Sequence, residues 1–174
     1  SINFWFGSSF VPKGTGILLN NEMDDFSIKP GTENSYGLIG YDANAVEPGK
    51  RMLSSMTPTF LESDRGFVIL GTPGGSRIIS MILLAALEWI DGGDAKSMVS
   101  LPRFHHQYHP DYVLYEEEAF IPSEINELES MGHIFKKSKR QFGNMQIIMW
   151  DHENNKIEIA SDPRGKEKSR EEVY

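Results

Sequence analysis

The sequence predicts a globular chain that combines α-helices with β-strands. An apolar run, a glycine-rich turn at 71–77 and a second apolar stretch follow one another in the order strand, turn, helix. A helical pattern at 123–131 is then followed by strand-like runs at 145–150 and 157–160. The 174 residues contain no internal repeat, and the hydrophobic fraction is 39%. We therefore predict a single domain over residues 1–174.

The bulk composition argues against several classes of function. The chain has 17 Lys and Arg against 25 Asp and Glu, and its net charge of -8 disfavours electrostatic binding to nucleic acid or anionic lipid. The absence of cysteine excludes disulfides, thiolate zinc sites and a cysteine nucleophile. The longest apolar stretch, residues 78–90, is interrupted by Ser80 and Glu88 and is too short to span a bilayer. We expect neither a nucleic-acid partner nor direct membrane contact.

Short elements are predicted near the N-terminus. Residues 2–6 have the pattern of a strand, residues 14–16 form a glycine turn, and residues 17–19 suit a short buried strand. The chain begins within the first strand, without an initiator methionine or a basic leader region. We therefore expect a processed or truncated chain.

Residues 27–50 are rich in Gly, Pro, Asn, Asp and Ser and lack a clear period, which predicts a long loop. A loop of this length inside a compact domain is usually functional or disordered. Tyr36, Leu38 and Ile39 make it too apolar for a simple disordered linker. We therefore predict a lid or binding loop, with a disordered segment as the alternative.

The middle of the chain predicts a hairpin and two helices. Strands at 56–62 and 67–71 are joined by the turn residues Ser-Asp-Arg-Gly. A helix is expected at 76–91, and because it is apolar on nearly every side we expect it to be buried between two layers. Asp94 has the right side chain and position to cap a second, short helix.

The C-terminal part predicts one more helix, then strands and a polar tail. Ser123 is the expected N-cap of a helix that places Ile125 and Leu128 on one face with Met131, and Gly132 should end it. A strand at 133–136 precedes the two strand-like runs already noted. The charged tail, residues 162–172, is expected to lie on the surface.

The turn at 71–77 reads Gly-Thr-Pro-Gly-Gly-Ser-Arg. Gly74 and Gly75 would allow a ligand to approach the backbone closely, and their N–H groups would lie at a helix N-terminus, where negative charge is favoured. A P-loop would need Lys-Ser/Thr after its second glycine, and a dinucleotide fingerprint would need Gly-x-Gly-x-x-Gly. The turn therefore favours a site for a developing oxyanion over a nucleotide site. A loop that only requires positive φ is the alternative.

Three further clusters are candidate binding groups. The run Asn-Asn-Glu-Met-Asp-Asp-Phe at 20–26 could bind a metal, clamp an ammonium group or cap turns through its side chains. Ser54 and Ser55 could bind a carboxylate or act only as hydrogen-bonding groups of a loop. His105 and His109 have the i, i+4 spacing of a helical zinc site, but the flanking prolines favour packing and backbone hydrogen bonds instead.

Five motifs occur in an order that resembles a known family. They are Asn-Asn-Glu-Met-Asp-Asp-Phe, Lys-Arg-Met-Leu-Ser-Ser-Met-Thr-Pro-Thr, Pro-Gly-Gly-Ser-Arg-Ile-Ile, Pro-Arg-Phe-His-His-Gln and Ala-Ser-Asp-Pro-Arg. Together they span nearly the whole chain and closely resemble the small subunit of γ-glutamyltransferase, also called glutathione hydrolase.

This resemblance implies an α+β N-terminal nucleophile hydrolase fold, an αββα sandwich, made as one proenzyme that cleaves itself into a large and a small subunit. The implied activity is transfer or hydrolysis of the γ-glutamyl group of glutathione and related amides through a threonyl acyl-enzyme. Water or an acceptor amino acid or peptide would resolve that intermediate. The large subunit, the donor and the acceptor are the implied partners, no cofactor or metal is implied, and the implied location is extracytoplasmic.

Matched residue by residue, Gly74 and Gly75 fall on the glycines that form the oxyanion hole in the resembled family. Ser54 and Ser55 fall on the hydroxyls that hold the α-carboxylate of the donor. Tyr36 falls on the aromatic gate of the lid loop, which agrees with the loop predicted there.

Asn3, Glu22 and Asp25 fall on the groups that hold the α-ammonium of the donor. Acceptor carboxylates suit a cation, as hydroxyl donors suit an anion. The neighbouring Asp24 is assigned to turn structure.

The nucleophilic threonine of the family aligns with no residue of this chain. We therefore expect the chain alone to be inactive and the intact protein to be catalytic. The alternatives are a non-catalytic fragment that keeps a glutamate-binding pocket, a related acylase and a poly-γ-glutamate transpeptidase. The loop that carries Tyr36 and the pair Glu22 and Asp25 favour a small γ-glutamyl donor.

Overall fold

The computed structural model describes residues 3–4 and 6–169. The chain divides into two compact units, unit 1 (Ser1–Ser54) and unit 2 (Ser55–Tyr174). All the strands and α-helices of the described residues lie in unit 2, while unit 1 contains two 3₁₀-helices.

Unit 1 is built from turns rather than from regular strands. Its 3₁₀-helices are Glu22–Asp25 and Asp42–Asn44. Residues 3 and 4 form a bend and residue 6 lies in a turn, so these positions do not form the strand predicted at 2–6. Residues 2 and 5 of that prediction lie outside the described residues.

The prediction of a buried strand at 17–19 is wrong. Ile17, Leu18 and Leu19 are all exposed. The Leu19 N–H donates to the Phe10 carbonyl at 3.0 Å, and the Leu19 carbonyl accepts from the Ser8 N–H at 3.0 Å. Two bonds from one residue do not make a ladder, so the segment is an irregular pairing of two chain stretches.

The loop at 27–50 is closed by hydrogen bonds of its own unit. The Asn44 side-chain amide donates to the Asp25 carbonyl at 2.7 Å. Farther along the loop, Asn34 Oδ1 accepts from the N–H groups of Tyr36 and Leu38, at 2.9 and 3.0 Å. These bonds give the loop a defined path, and its role as a lid stays a prediction.

Unit 2 contains a four-stranded antiparallel sheet with two helices packed on one of its faces. In the sequence, both helices lie between the first two strands of this sheet and its last two strands. In spatial order the strands are β1 (Thr59–Ser63), β2 (Gly66–Gly71), β6 (Gln146–Asp151) and β7 (Lys156–Ser161), and the helices are α1 (Ile78–Ile90) and α2 (Ala95–Ser100).

The predicted hairpin is formed by β1 and β2, which pair from Thr59 with Leu70 to Ser63 with Gly66. Gly66 has φ 156°, and a Cβ at this position would collide with the carbonyl oxygen of Trp150 on β6. Glycine therefore lets the hairpin turn lie directly against the neighbouring strand.

The core lies between the four-stranded sheet and the helices. Alternate strand residues face inward, as the period of two requires. The strands contribute Val68, Leu70, Ile147, Met149 and Ala160, and the helices contribute Ile78, Met81, Ile82, Ala85, Trp89, Ala95, Met98 and Val99.

Both predicted helices after the glycine turn are present. α1 is preceded by the 3₁₀-helix Gly75–Arg77, and Asp94 caps α2 by accepting from the Ser97 N–H at 2.6 Å. The prediction that α1 is buried between two layers is wrong for the described residues, because they supply a covering layer on one side of the helix only. The exposed apolar residues of α1 are Ile79, Leu83, Leu87 and Ile90. Within the described residues, no helix is both long enough and apolar enough to cross a membrane.

A second sheet of three short strands contains two strands that the sequence did not predict. β3 (Phe104–His105) and β4 (Val113–Tyr115) are antiparallel, and β4 runs parallel to β5 (Phe135–Lys137). The helix α3 (Pro122–Ser130) connects β4 to β5. Aromatic rings of this sheet and of the segment between β4 and α3 pack at centroid distances of 4.9 to 5.9 Å, and they belong to Phe104, Tyr115, Phe120 and Phe135.

The predicted N-cap of α3 is wrong by two residues. The cap position is Ile121, whose N–H donates to Glu124 Oε2 at 2.8 Å, and Pro122 takes the first helical position. Because proline fixes a helical φ, it starts the helix before Ser123. Gly132, at φ 100°, follows the helix as predicted.

The tail does not lie wholly on the surface as predicted. Asp162 is buried and the Arg164 side chain is nearly so, because both join buried ion pairs. Residues 170–172 of the predicted tail lie outside the described residues.

Candidate active site

The glycine turn connects the end of β2 to the start of α1. Gly74 has φ 151° and Gly75 has φ 59°, both in the region that favours glycine. A Cβ at Gly74 would lie 2.7 Å from the Cε of Met81. The turn therefore depends on glycine for its backbone conformation and for its close packing on α1.

The N–H groups of this turn are available to a ligand. Arg77 N–H donates to the Gly74 carbonyl at 3.3 Å, which closes the 3₁₀-helix. The N–H groups of Gly74 and Gly75 make no hydrogen bond within the described part of the chain. They lie where a helix begins, so the arrangement suits an oxygen that carries negative charge.

The first half of the turn is fixed by Thr72. Its hydroxyl donates to the Pro73 carbonyl at 3.1 Å and accepts from the Asn144 N–H at 3.0 Å. Thr72 is buried. This contact joins the turn to the segment that leads into β6 and limits its freedom to move.

The histidine cluster does not form the helical pair that a zinc site would need. His105 lies in β3, where its Nδ1 is 2.8 Å from Ser80 Oγ and its Nε2 is 2.7 Å from Gln107 Oε1. His106 Nε2 is instead 2.8 Å from Asp111 Oδ1. No group of three metal-binding side chains is found among the described residues.

In unit 1, two asparagines organise the acidic turn. Asn20 Oδ1 accepts from the Glu22 N–H at 3.0 Å, and Asn21 Oδ1 accepts from the Asn3 N–H at 2.9 Å. The capping alternative is therefore correct for Asn20, while the Asn21 side chain makes no cap bond and instead accepts from a residue 18 positions away. Their bonds bring Asn3 to the turn that carries Glu22.

Two buried polar atoms at this turn have no hydrogen-bond partner among the described residues: Asn3 Nδ2 and Glu22 Oε1. Such atoms are rare in folded proteins and call for a ligand, a water or an ion. Glu22 Oε1 is an acceptor and suits an ammonium group. Asn3 Nδ2 is a donor, so an ammonium would need the Oδ1 of the same amide.

The remaining predicted residues show less specific surroundings. Asp25 is half-buried and Asp24 is exposed, so the two neighbouring carboxylates differ in environment. Ser54 is exposed, and Ser55 is half-buried with its carbonyl 3.0 Å from the Thr57 hydroxyl. Unit 1 contains Asn3, Glu22, Asp25, Tyr36 and Ser54, and unit 2 contains Ser55, Gly74 and Gly75.

A buried ion network in unit 2 has no counterpart in the predictions from sequence. Arg103 pairs with Asp162 at 2.5 Å, and Arg164 pairs with Glu116 at 2.5 Å and with Asp162 at 3.2 Å. Burial alone would raise the pKa of Asp162, but hydrogen bonds from the Met145 and Arg164 N–H groups and from Arg103 hold that pKa below its ordinary value. No local pattern in the sequence signals this network, because Arg103 and Asp162 are 59 residues apart and Arg164 and Glu116 are 48 residues apart.

Known proteins are similar to this chain in both sequence and fold. The family profile described as gamma-glutamyltranspeptidase matches residues 1–171. The chain is 43% identical over 170 residues to the glutathione hydrolase proenzyme of Pseudomonas aeruginosa, covering 95% of this chain and 30% of that protein. It is 45% identical over 166 residues to the glutathione hydrolase proenzyme of Escherichia coli, covering 94% of this chain and 28% of that protein.

Among solved structures, the chain is similar to a mutant gamma-glutamyltranspeptidase of Helicobacter pylori, with a TM-score of 0.86 and 40% identity over 95% of this chain and 90% of that one. This similarity confirms the predicted α+β, N-terminal nucleophile hydrolase-like fold. The chain spans about 30% of the length of the curated relatives. The sequence profile and the shared fold together place this chain in the gamma-glutamyltranspeptidase family.

Proposed function

We propose that this chain is the small-subunit part of an enzyme that transfers or hydrolyses the γ-glutamyl group of glutathione and related γ-glutamyl amides. The observation that carries the proposal is the turn at Gly74 and Gly75, whose N–H groups make no hydrogen bond within the described part of the chain. Membership of the family supports the reaction, and the share of the relatives that the chain covers supports a larger partner.

The glycine turn would act when a nucleophile adds to the γ-carbonyl of the donor. The carbonyl oxygen then gains negative charge, and fixed N–H groups at a helix start favour that charge more than they favour the neutral carbonyl. Collapse of the intermediate breaks the C–N bond, releases the amine and leaves a γ-glutamyl ester. Water or an acceptor amine then attacks the ester and frees the nucleophile. The family resemblance assigns the nucleophile to a threonine outside this chain.

The donor would be held by groups of opposite charge at its two α-substituents. Glu22 and Asp25 would accept hydrogen bonds from the α-ammonium, with Asn3 contributing through its Oδ1. Glu22 Oε1 supports this assignment because it is buried and lacks a partner among the described residues. Ser54 and Ser55 would donate to the α-carboxylate. Tyr36 would lie in a loop that closes over the bound donor.

The partner would be the large subunit of the same proenzyme, and the sheet of unit 2 offers a face for it. The face away from the helices carries large apolar side chains on adjacent strands: the exposed Ile148 on β6 lies beside the half-buried Ile69 on β2, and the exposed Trp150 on β6 lies beside the exposed Ile157 on β7. Exposed fractions are 50% for Ile148, 46% for Trp150 and 58% for Ile157. In a sandwich of two sheets, such a face packs on a second sheet. We name these strand residues, with Phe60, the open sheet face.

The experiment compares two neighbouring carboxylates in the full-length protein. We expect D25A to raise the KM for a chromogenic γ-glutamyl anilide by about 10- to 150-fold, since it removes a charge-assisted contact worth about 1.5 to 3 kcal/mol. The control D24A removes the same charge from an exposed position of the same turn and should leave KM within about twofold. Equal KM values for the two variants would remove the ammonium assignment. If the unsubstituted protein released no amine, the proposed activity would be wrong. The remaining hypothesis would then be the non-catalytic fragment that keeps a glutamate-binding pocket.

A further inference from the structure

A chain of side-chain hydrogen bonds links the far end of the glycine turn to β3. Ser76 Oγ lies 2.9 Å from Gln107 Oε1, which lies 2.7 Å from His105 Nε2. His105 Nδ1 in turn lies 2.8 Å from Ser80 Oγ. Ser76 and Ser80 are four residues apart, so the chain leaves the helix start and returns to it one turn later.

The direction of every bond in this chain follows from one carbonyl. Gln107 Nε2 donates to the carbonyl of His109 at 2.7 Å, and a carbonyl can only accept. The amide oxygen of Gln107 must therefore face Ser76 and His105, and both must donate to it. The neutral imidazole of His105 then carries its proton on Nε2 and accepts from the Ser80 hydroxyl at Nδ1.

The surroundings of His105 favour this neutral form. Burial lowers the pKa of the imidazole, the bond to Gln107 opposes that shift, and the charges of Arg77 and His106 lower the pKa further. A proton added to Nδ1 would displace the Ser80 hydroxyl as a donor, and it would place a second positive charge near Arg77.

The chain of hydrogen bonds reaches the turn next to Gly74 and Gly75, which have no side chains that could anchor the backbone. Ser76 directly follows Gly75, and Gly75–Arg77 is the 3₁₀-helix that precedes α1. Thr72 fixes the other end of the turn through Asn144. Between these two anchors the direction of the Gly74 and Gly75 N–H groups is set.

We propose that Ser76, Gln107 and His105 are positioning residues that hold the Gly74 and Gly75 N–H groups toward the oxyanion, while touching no substrate themselves. The proposal rests on the proposed function. It requires that damage to the chain of hydrogen bonds weaken the chemical step and leave donor binding unchanged, because the donor-binding groups lie elsewhere in the sequence.

The first test uses S76A in the full-length protein with a chromogenic γ-glutamyl anilide. We expect kcat to fall five- to tenfold, the effect of one neutral hydrogen bond, with KM within about twofold. S76T keeps the hydroxyl and should restore kcat. S100A, a change at an exposed serine of α2, is the control and should match the unsubstituted protein.

The second test uses Q107E, which places a carboxylate beside His105 Nε2. An adjacent negative charge favours the imidazolium, so the acidic limb of the kcat profile should move to higher pH by about one unit or more. A residue with a purely structural role would lower the melting temperature without moving this limb.

Each outcome bears on one proposal. If the unsubstituted protein turns over the anilide and S76A matches it in kcat, the positioning role is wrong and the proposed function stands. If there is no turnover at all, the proposed function fails, and NMR order parameters of the Gly74 and Gly75 amides decide the positioning role. Lower order parameters in S76A, but not in S100A, support it, and unchanged values overturn it.

Discussion

At the scale of single residues, the glycine turn combines a backbone requirement with the chemical role proposed above. Gly71 and Gly74 lie three residues apart in the same turn, yet their surroundings differ. A Cβ at Gly71 would meet no atom within 4 Å, whereas one at Gly74 would meet Met81 at a φ of 151°. Substitution at these two glycines therefore separates the general cost of adding a methyl group from the cost of moving the N–H groups.

We expect G74A to lower kcat by at least about 100-fold, because both strain and displacement would act on the N–H groups proposed to face the oxyanion. G71A should retain kcat within about threefold, since it meets no steric conflict at that position. Steady-state kinetics of the two full-length variants, with melting temperatures to confirm folding, would check this. Equal losses would show that the turn tolerates no substitution for reasons unrelated to the oxyanion.

Local patterns were sufficient to predict some of these residues and not others. Adjacent glycines between an apolar run and a helix predict a turn with positive φ at Gly74 and Gly75, because this requirement lies in the backbone itself, and the role of these glycines toward an oxyanion stays a prediction. The pairing of Arg103 with Asp162 joins residues 59 apart in sequence, and no local periodicity reports such a contact. The same holds for the bond between Ser76 and Gln107, which are 31 residues apart.

At the scale of elements, the buried ion network connects segments that follow different helices and strands. Arg103 follows α2, Glu116 follows β4, and Asp162 and Arg164 follow β7. The Asp162 carboxylate also accepts from the Met145 N–H at 2.8 Å, at the entry to β6. One cluster thus fixes the ends of the sheet relative to the segment that carries β3.

We expect D162A to lower the free energy of unfolding by about 3 kcal/mol, because it leaves Arg103 buried beside a missing partner. The matched control is E117A, which removes an exposed partner of Lys137 and should change stability little. Urea unfolding of both variants measures the difference. A D162A protein as stable as E117A would contradict a structural role for the network.

Acid should weaken this network in a defined range of pH. The folded-state pKa of Asp162 lies below its ordinary value of 3.8, so the stabilisation is complete above that value and is lost as the pH falls through the folded pKa. Unfolding free energies measured from pH 7 to below pH 3 should therefore decline less steeply in D162N than in the unsubstituted protein. If the two proteins gave parallel curves of unfolding free energy against pH, the loss of stability in acid would come from other carboxylates.

The elements that were predicted correctly are those with strong local signals. The hairpin, α1 and the capped α2 each combine a periodic apolar run with a turn or capping residue. β3 and β4 were missed because strands of two and three residues carry too little periodicity to detect. The burial of α1 was predicted wrongly because an apolar helix sequence indicates that the helix surface is covered, but not which polypeptide chain provides the covering segment.

At the scale of the whole molecule, the open sheet face is the surface to which the proposed large subunit would bind. We expect I148D in the full-length protein to weaken association between the two subunits after cleavage, because a carboxylate would be buried without a partner. I121D is the control: Ile121 is 60% exposed against 50% for Ile148, and it lies at the start of α3, where aspartate is a good cap.

Analytical size-exclusion chromatography of the cleaved proteins measures this association. The prediction is that I148D separates into two chains at concentrations where I121D and the unsubstituted protein remain together. Intact association of I148D would show that the large subunit binds a different surface.

Two uncovered apolar surfaces bear on how such a chain can be made. One is formed by the exposed apolar residues of α1, and the other is the open sheet face on the opposite side of the same two layers. A ribosome that released this polypeptide by itself would release a sheet and a helix that each present an uncovered apolar surface, and self-association would compete with folding. In a precursor that carries the covering segment on the same polypeptide, that segment is present at a high effective concentration from the moment of synthesis. Delaying the cut until after folding would then protect this chain from aggregation, in addition to delaying the onset of the proposed activity.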